Sequence, residues 1–177
     1  MNAIKKQIEN SILSKLLKFN RRLASLELRL ASLMIVIASC LSLYTIIVRN
    51  SGHSTADWAV DLPIALVSWA IFIGSGANFV SKSHINTDFF LQKLPFKFKK
   101  SILILVNLIL LGMFIFIIHY SIIATELFIK TGNRLYEMFN TPVYIVFLVL
   151  PISVVIWCVH VVIDIVEIYF STEEEGA

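Results

Sequence analysis

The sequence predicts an all-α polytopic membrane protein, with four transmembrane helices preceded by an N-terminal amphipathic interfacial helix and both termini cytoplasmic. Three observations predict it. Apolar residues make up 58% of the chain and Asp, Glu, Lys and Arg only 15%, outside the balance of a water-soluble domain. Four runs, residues 30–48, 58–80, 102–129 and 142–170, are nearly free of Lys and Arg. Each meets or approaches the ~20 residues that a helix needs to cross a hydrocarbon core of ~30 Å. None shows the polar stripe that a helix of a soluble bundle keeps toward water. The chain is read as one membrane domain, 1–177.

Residues 1–29 form a basic leader with Lys5, Lys6, Lys15, Lys18, Arg21, Arg22 and Arg29. Apolar residues recur at Ile8, Ile12, Leu16, Phe19, Leu23, Leu26 and Leu30, close to a 3.6-residue period. The pattern predicts a helix lying in the membrane interface, its basic face toward anionic lipid headgroups. A solvated leader that only fixes orientation is the plainer alternative. The first apolar run begins behind this leader without a small-x-small cleavage site, so the first span is expected to be kept.

That span, 30–48, ends at Arg49-Asn50-Ser51-Gly52-His53, a turn by composition. Ser54, Thr55 and Asp57 are candidate caps for the second helix. Pro63 is harmless if that helix starts near Asp61 and kinks it if the start is near Asp57. The run from Pro63 to Phe79 is too short to span alone, so the helix is expected from Trp58, with the indole at the interface. Ala70, Gly74 and Ala77 share a face that would let another helix approach closely, although glycine is common in membrane helices generally. A polar turn, Ser81–Asp88, and a basic loop to Lys100 lead to the third span, 102–129. Thr141 and Pro142 are expected as N-cap and first residue of the last helix, and Pro151 is expected to bend it. The tail, 171–177, is acidic.

Lysine and arginine placement sets the orientation. The leader and the 82–100 loop together carry twelve, the opposite loops only Arg49, Lys130 and Arg134. Positive charge stays inside, so both termini and the 82–100 loop are expected in the cytoplasm.

Candidate chemistry is sparse. Asp57 and Asp61 are spaced for one helical face, as a cation-binding pair or, more simply, as acids at a helix N-terminus. His84 and Asp88 are likewise four apart and read as a structural pair, since two ligands do not make a metal site. Intramembrane ionisable groups are functional candidates. His119 and His160 differ in depth by roughly 12 Å at 1.5 Å per residue, which does not suit two axial haem ligands. Glu126 sits near a helix end, within reach of water. His160, Asp164 and Glu167 share one face, readable as a proton relay or as a polar seam facing another subunit. The second is the simpler reading. Cys40 and Cys158 both lie in apolar runs and read as small buried hydrophobes. No phosphate loop, nucleophile elbow, triad or metal motif appears, and no catalytic, cofactor, metal or substrate residue is assigned. Paired repeats with broken helices, the mark of many secondary carriers, are not evident. Nothing points to nucleic acid.

In order, Arg49, Trp58-x-x-Asp61-Leu62, Trp69, Gly74, His84-Ile85-x-x-Asp88 and Leu94-Pro95 resemble the small membrane subunit of tripartite ATP-independent periplasmic (TRAP) transporters, the DctQ-like family. The resemblance covers most of the chain, including its length, its four spans and its basic leader. Asp61 stands where glutamate is usual, and Ser81-Lys82 where an arginine is common. The resemblance implies a partner rather than an activity. Such a subunit sits in the bacterial inner (cytoplasmic) membrane as a multi-pass scaffold and associates with a large TRAP membrane subunit. That subunit holds the substrate and sodium sites, and a periplasmic solute-binding protein delivers an organic acid to it. Trp58, Asp61, Trp69, Gly74, His84 and Asp88 would then be structural or interface positions, none catalytic.

Two other classes compete. A four-helix disulfide-generating oxidoreductase needs reactive cysteine pairs in external loops, and residues 49–57 and 130–141 contain none. A stand-alone small exporter would want a carboxylate well inside the first helix, and residues 30–48 have none.

Overall fold

Four helices are long and apolar enough to cross a membrane, within 11–50, 58–80, 100–131 and 143–170. The computed structural model describes the backbone of residues 2–56, 58–80, 96–135 and 141–175, and side chains for 11–56, 58–80, 98, 100–134 and 141–170. The elements are α1 (Asn2–Asn50), α2 (Trp58–Val80), α3 (Phe96–Thr131), a two-residue strand β1 (Arg134–Leu135), its partner β2 (Thr141–Pro142), α4 (Val143–Phe147) and α5 (Val149–Glu175). Their outer faces are largely apolar, with Ile47, Ile64 and Ile109 each more than 60% exposed. A surface of that kind belongs in lipid, not in water.

The expected boundary at residue 29 between an interfacial leader and the first span is not a structural boundary. α1 is one helix of 49 residues, about 73 Å long at 1.5 Å per residue. The chain has no glycine before Gly52 and no proline before Pro63, so nothing in the sequence breaks it. Its inward positions run Asn20, Ala24, Glu27, Ala31, Met34, Ala38, Leu41, Thr45 and Val48, alternating four- and three-residue steps from the leader into the span. α2 answers with Ala59, Pro63, Leu66, Ala70, Ile73 and Ala77 in the same rhythm. A 3.5-residue repeat makes two helices wind in a left-handed coil. With alanines at six of these fifteen positions the two backbones approach closely, and close packing drives association where lipid supplies no hydrophobic force. A Cβ on Gly74 would stand only 3.0 Å from the Cβ of Ala31.

Helices α1 and α3 are each followed within two residues by a glycine. Gly52 and Gly132 have φ of 77° and 64°, the left-handed conformation that closes a helix C-terminus and that only glycine adopts without strain. α3 runs further than the expected 102–129 at both ends, since residues 96–101, with three lysines, and the polar residues 130–131 are also helical.

The last span departs from expectation at its start. Thr141 and Pro142 are not N-cap and first helical residue. They are extended and pair with β1, Arg134 opposite Pro142 and Leu135 opposite Thr141. Pro142 itself is the N-cap of α4, with no side-chain cap. The helix then breaks at Leu148, three residues before the expected bend at Pro151, because Pro151 has no N–H for the carbonyl of Phe147.

α5 is the central element. It packs on α3 along most of its length, on α2, and on the lower part of α1, whereas α1 packs mainly on α2. Trp157 lies in its first half, its ring centroid 5.6 Å from that of Phe114 on α3 and 6.1 Å from that of Phe79 on α2.

Candidate functional site

Several polar side chains of the spans gather where α5 meets α1, at the end of the bundle that carries both termini. On α5, Ser153, Trp157, His160, Asp164 and Glu167 follow one another in four- and three-residue steps and share one face. His160, only 1% exposed, is the best-buried titratable group among the described residues. Its Nδ1 faces the Oδ1 of Asn20 at 2.5 Å and its Nε2 faces the Oε1 of Glu27 at 3.0 Å. Both partners lie on α1, two turns apart, so the imidazole is held from two sides by one helix. Both ring contacts are satisfied when the imidazole carries both protons, or when the Asn20 amide turns its NH2 toward Nδ1.

Glu27 is itself 3% exposed. A buried carboxylate is costly unless paired and hydrogen-bonded, and Glu27 meets His160 only because α2 gives way beside it. A Cβ on Gly76 would lie 2.5 Å from Oε2 of Glu27. The glycine thus makes the socket for the carboxylate. One turn further along α5, Asp164 accepts a 2.9 Å hydrogen bond from Nδ2 of Asn107 on α3. The cluster therefore fastens two helices, α1 and α3, to α5. A niche beside it, lined by Asn20, Arg21, Phe79, Asp164 and Glu167 among others, encloses about 30 Å³, the size of one water.

The expected seam of His160, Asp164 and Glu167 toward another subunit is corrected for its first member. His160 points into its own chain, because α1 continues past residue 29 and lays Asn20 and Glu27 against it. Sequence reasoning missed both partners. They sit among the leader's lysines and arginines, where a polar residue reads as solvated. The alternating step from Asn20 through Glu27 to Ala31 and Ala38 was the available signal.

Two further hydrogen bonds repair breaks in the helix backbone. Pro63, the sixth residue of α2, cannot donate to the carbonyl of Ala59. That carbonyl is 3.0 Å from the Thr45 hydroxyl of α1, which also lies 3.0 Å from the Leu41 carbonyl. In a membrane a freed carbonyl needs such a donor. Near the Leu148 break, the indole N–H of Trp69 donates to the carbonyl of Val146 at 3.0 Å.

The motif positions of the sequence do not converge. Trp58 and Asp61 are half-buried at the start of α2, and Trp69 and Gly74 lie further along it. Asp57, His84 and Asp88 lie outside the described residues. His119 is exposed on α3, and Glu126 reaches Lys130 at 3.6 Å, four residues on, with both largely exposed. Cys40 and Cys158 are free. Cys40 is exposed on α1, not buried as its apolar surroundings suggest, because it lies off the inward stripe. Among the described residues no three His, Cys, Asp or Glu side chains are placed to hold a metal ion.

Fold and cluster together define a polytopic membrane protein whose buried polar groups tie its own helices to one another. The chain belongs to the family described as tripartite ATP-independent periplasmic transporters, DctQ component, which matches residues 23–170 and so includes Glu27, Gly76 and His160. It is the small-subunit component of a tripartite transporter. No curated protein and no solved structure is significantly similar to it.

Proposed function

We propose that this chain is the static scaffold of a sodium-driven, binding-protein-dependent uptake system for an organic acid. It sits in the bacterial inner membrane with both termini in the cytoplasm and forms one membrane domain. It associates with the large membrane subunit, which holds the substrate and sodium sites, and with a periplasmic solute-binding protein. It has no substrate site and no catalytic activity of its own. Trp58, Asp61, Trp69, Gly74, His84 and Asp88 serve as structural or interface positions.

One observation carries this reading: the ionisable residue at the heart of the bundle, His160, has both ring nitrogens engaged by Asn20 and Glu27 of the same chain. A side chain so held fixes helix positions and is not free to bind a solute. Trp69 and Gly74 fit the same role, one bridging to the Leu148 break and the other seating Ala31. Purification from membranes and sodium-gradient uptake test the proposal. The chain is expected to come down with a much larger membrane protein, and uptake is expected to need both. Solute binding to the isolated chain would overturn it.

A further inference from the structure

His119 is an ionisable group of the third span that the polar cluster does not use. It lies in α3, about 5 Å beyond the midpoint of the 102–129 span at 1.5 Å per residue. It is exposed, and among the described residues its side chain has one interaction, an edge-on ring contact with Tyr120 at 5.5 Å between centroids. Ionisable groups at such depth face protein or water, since acyl chains offer no hydrogen bond.

His119 does not itself line the neighbouring groove but stands beside it, next in sequence to Ile118 of its wall. Ile122 and Glu126, three and seven residues on, share its face and belong to the groove's wall with Ile118 and Thr125. The opposite wall is Leu148, Pro151, Ile152 and Val155, at the break between α4 and α5. The groove encloses about 530 Å³ and is apolar apart from Thr125 and Glu126. It opens in the half of the bundle remote from the termini.

We infer that this groove, between α3 and the start of α5, is the seat of a membrane-spanning helix of the larger transporter subunit. That helix fills the groove with aliphatic side chains and presents a hydrogen-bonding side chain to His119. The inference rests on the scaffold reading above, and it is the imidazole beside the groove that selects the occupant. Lipid tails would fill an apolar groove equally well, but they would leave the imidazole without a partner. A protein helix satisfies both.

The test is site-specific photo-crosslinking in membranes that hold the assembled transporter. A benzophenone amino acid is placed at Ile122 or Ile152 in the groove, and at Leu33 or Ile37 on the exposed face of α1. The groove positions are expected to give an adduct with the larger subunit, identified by mass spectrometry, and the α1 positions none. His119→Leu is expected to weaken co-purification severalfold, the scale of one interhelical hydrogen bond in a membrane, while the melting of the isolated chain is unchanged. Adducts from α1 alone, from lipid alone, or with a second copy of this chain overturn the assignment. Co-purification with those adduct patterns leaves the scaffold reading standing, whereas failure to co-purify at all removes both.

Discussion

The Nε2 of His160 lies 3.0 Å from Oε1 of Glu27, across 133 residues of sequence, with both side chains almost wholly buried. That contact joins the first helix to the last and makes the leader part of the bundle. It is also the contact whose loss is expected to cost most. Removing one member of a buried pair strands the other, at about 3–5 kcal/mol. Glu27→Ala and His160→Ala are each expected to lower the unfolding free energy in detergent by that amount. The double change Glu27→Ala with His160→Ala is expected to cost less than the two single losses summed. Additive losses would show that the two side chains do not act as a pair.

Gly76 offers a sharper test, because its role is to leave room. Gly76→Ala puts a methyl within 2.5 Å of the Glu27 carboxylate. Overpacking of this kind costs about 1–3 kcal/mol. Repeated in a Glu27→Ala background the substitution is expected to be neutral or slightly stabilising, since alanine is the better helix former. An equal cost in both backgrounds, read by thermal melting, would place the clash elsewhere.

Thr45 and Pro63 form a second linked pair. Thr45→Val keeps the shape of the side chain and leaves the Ala59 carbonyl without its donor, a cost of about 1–3 kcal/mol for a buried polar group. Adding Pro63→Ala supplies the missing backbone N–H and is expected to recover most of that loss. Pro63→Ala without recovery would mean that the carbonyl is satisfied in another way.

Trp69→Phe removes the donor to Val146 while keeping an aromatic ring. Stability is expected to fall by about 0.5–1.5 kcal/mol, with increased hydrogen exchange confined to residues around Leu148. Unchanged exchange there would separate Trp69 from the helix break.

The spans were legible because apolar runs of that length have one physical reading, and α2 runs from Trp58 to Val80 as expected. The prolines were legible as defects. Their consequences were not, since which side chain serves the freed carbonyl depends on a neighbouring helix, as with Thr45 and Ala59. The leader was misread for a related reason. Its 3.6-residue apolar stripe ends at Leu30, but a second stripe of 3.5-residue period, Asn20 to Thr45, crosses that point and decides the packing. His160 stood out by chemistry alone. Glu27 did not, because a carboxylate among seven basic residues looks solvated until the fold brings His160 and Gly76 to it.

The most direct test of the scaffold account is sodium-gradient-driven solute uptake in proteoliposomes, measured with this chain alone, with the large membrane subunit alone, and with both, each in the presence of the solute-binding protein. The account predicts uptake only where both membrane subunits are present. Gradient-coupled uptake by this chain alone would contradict it.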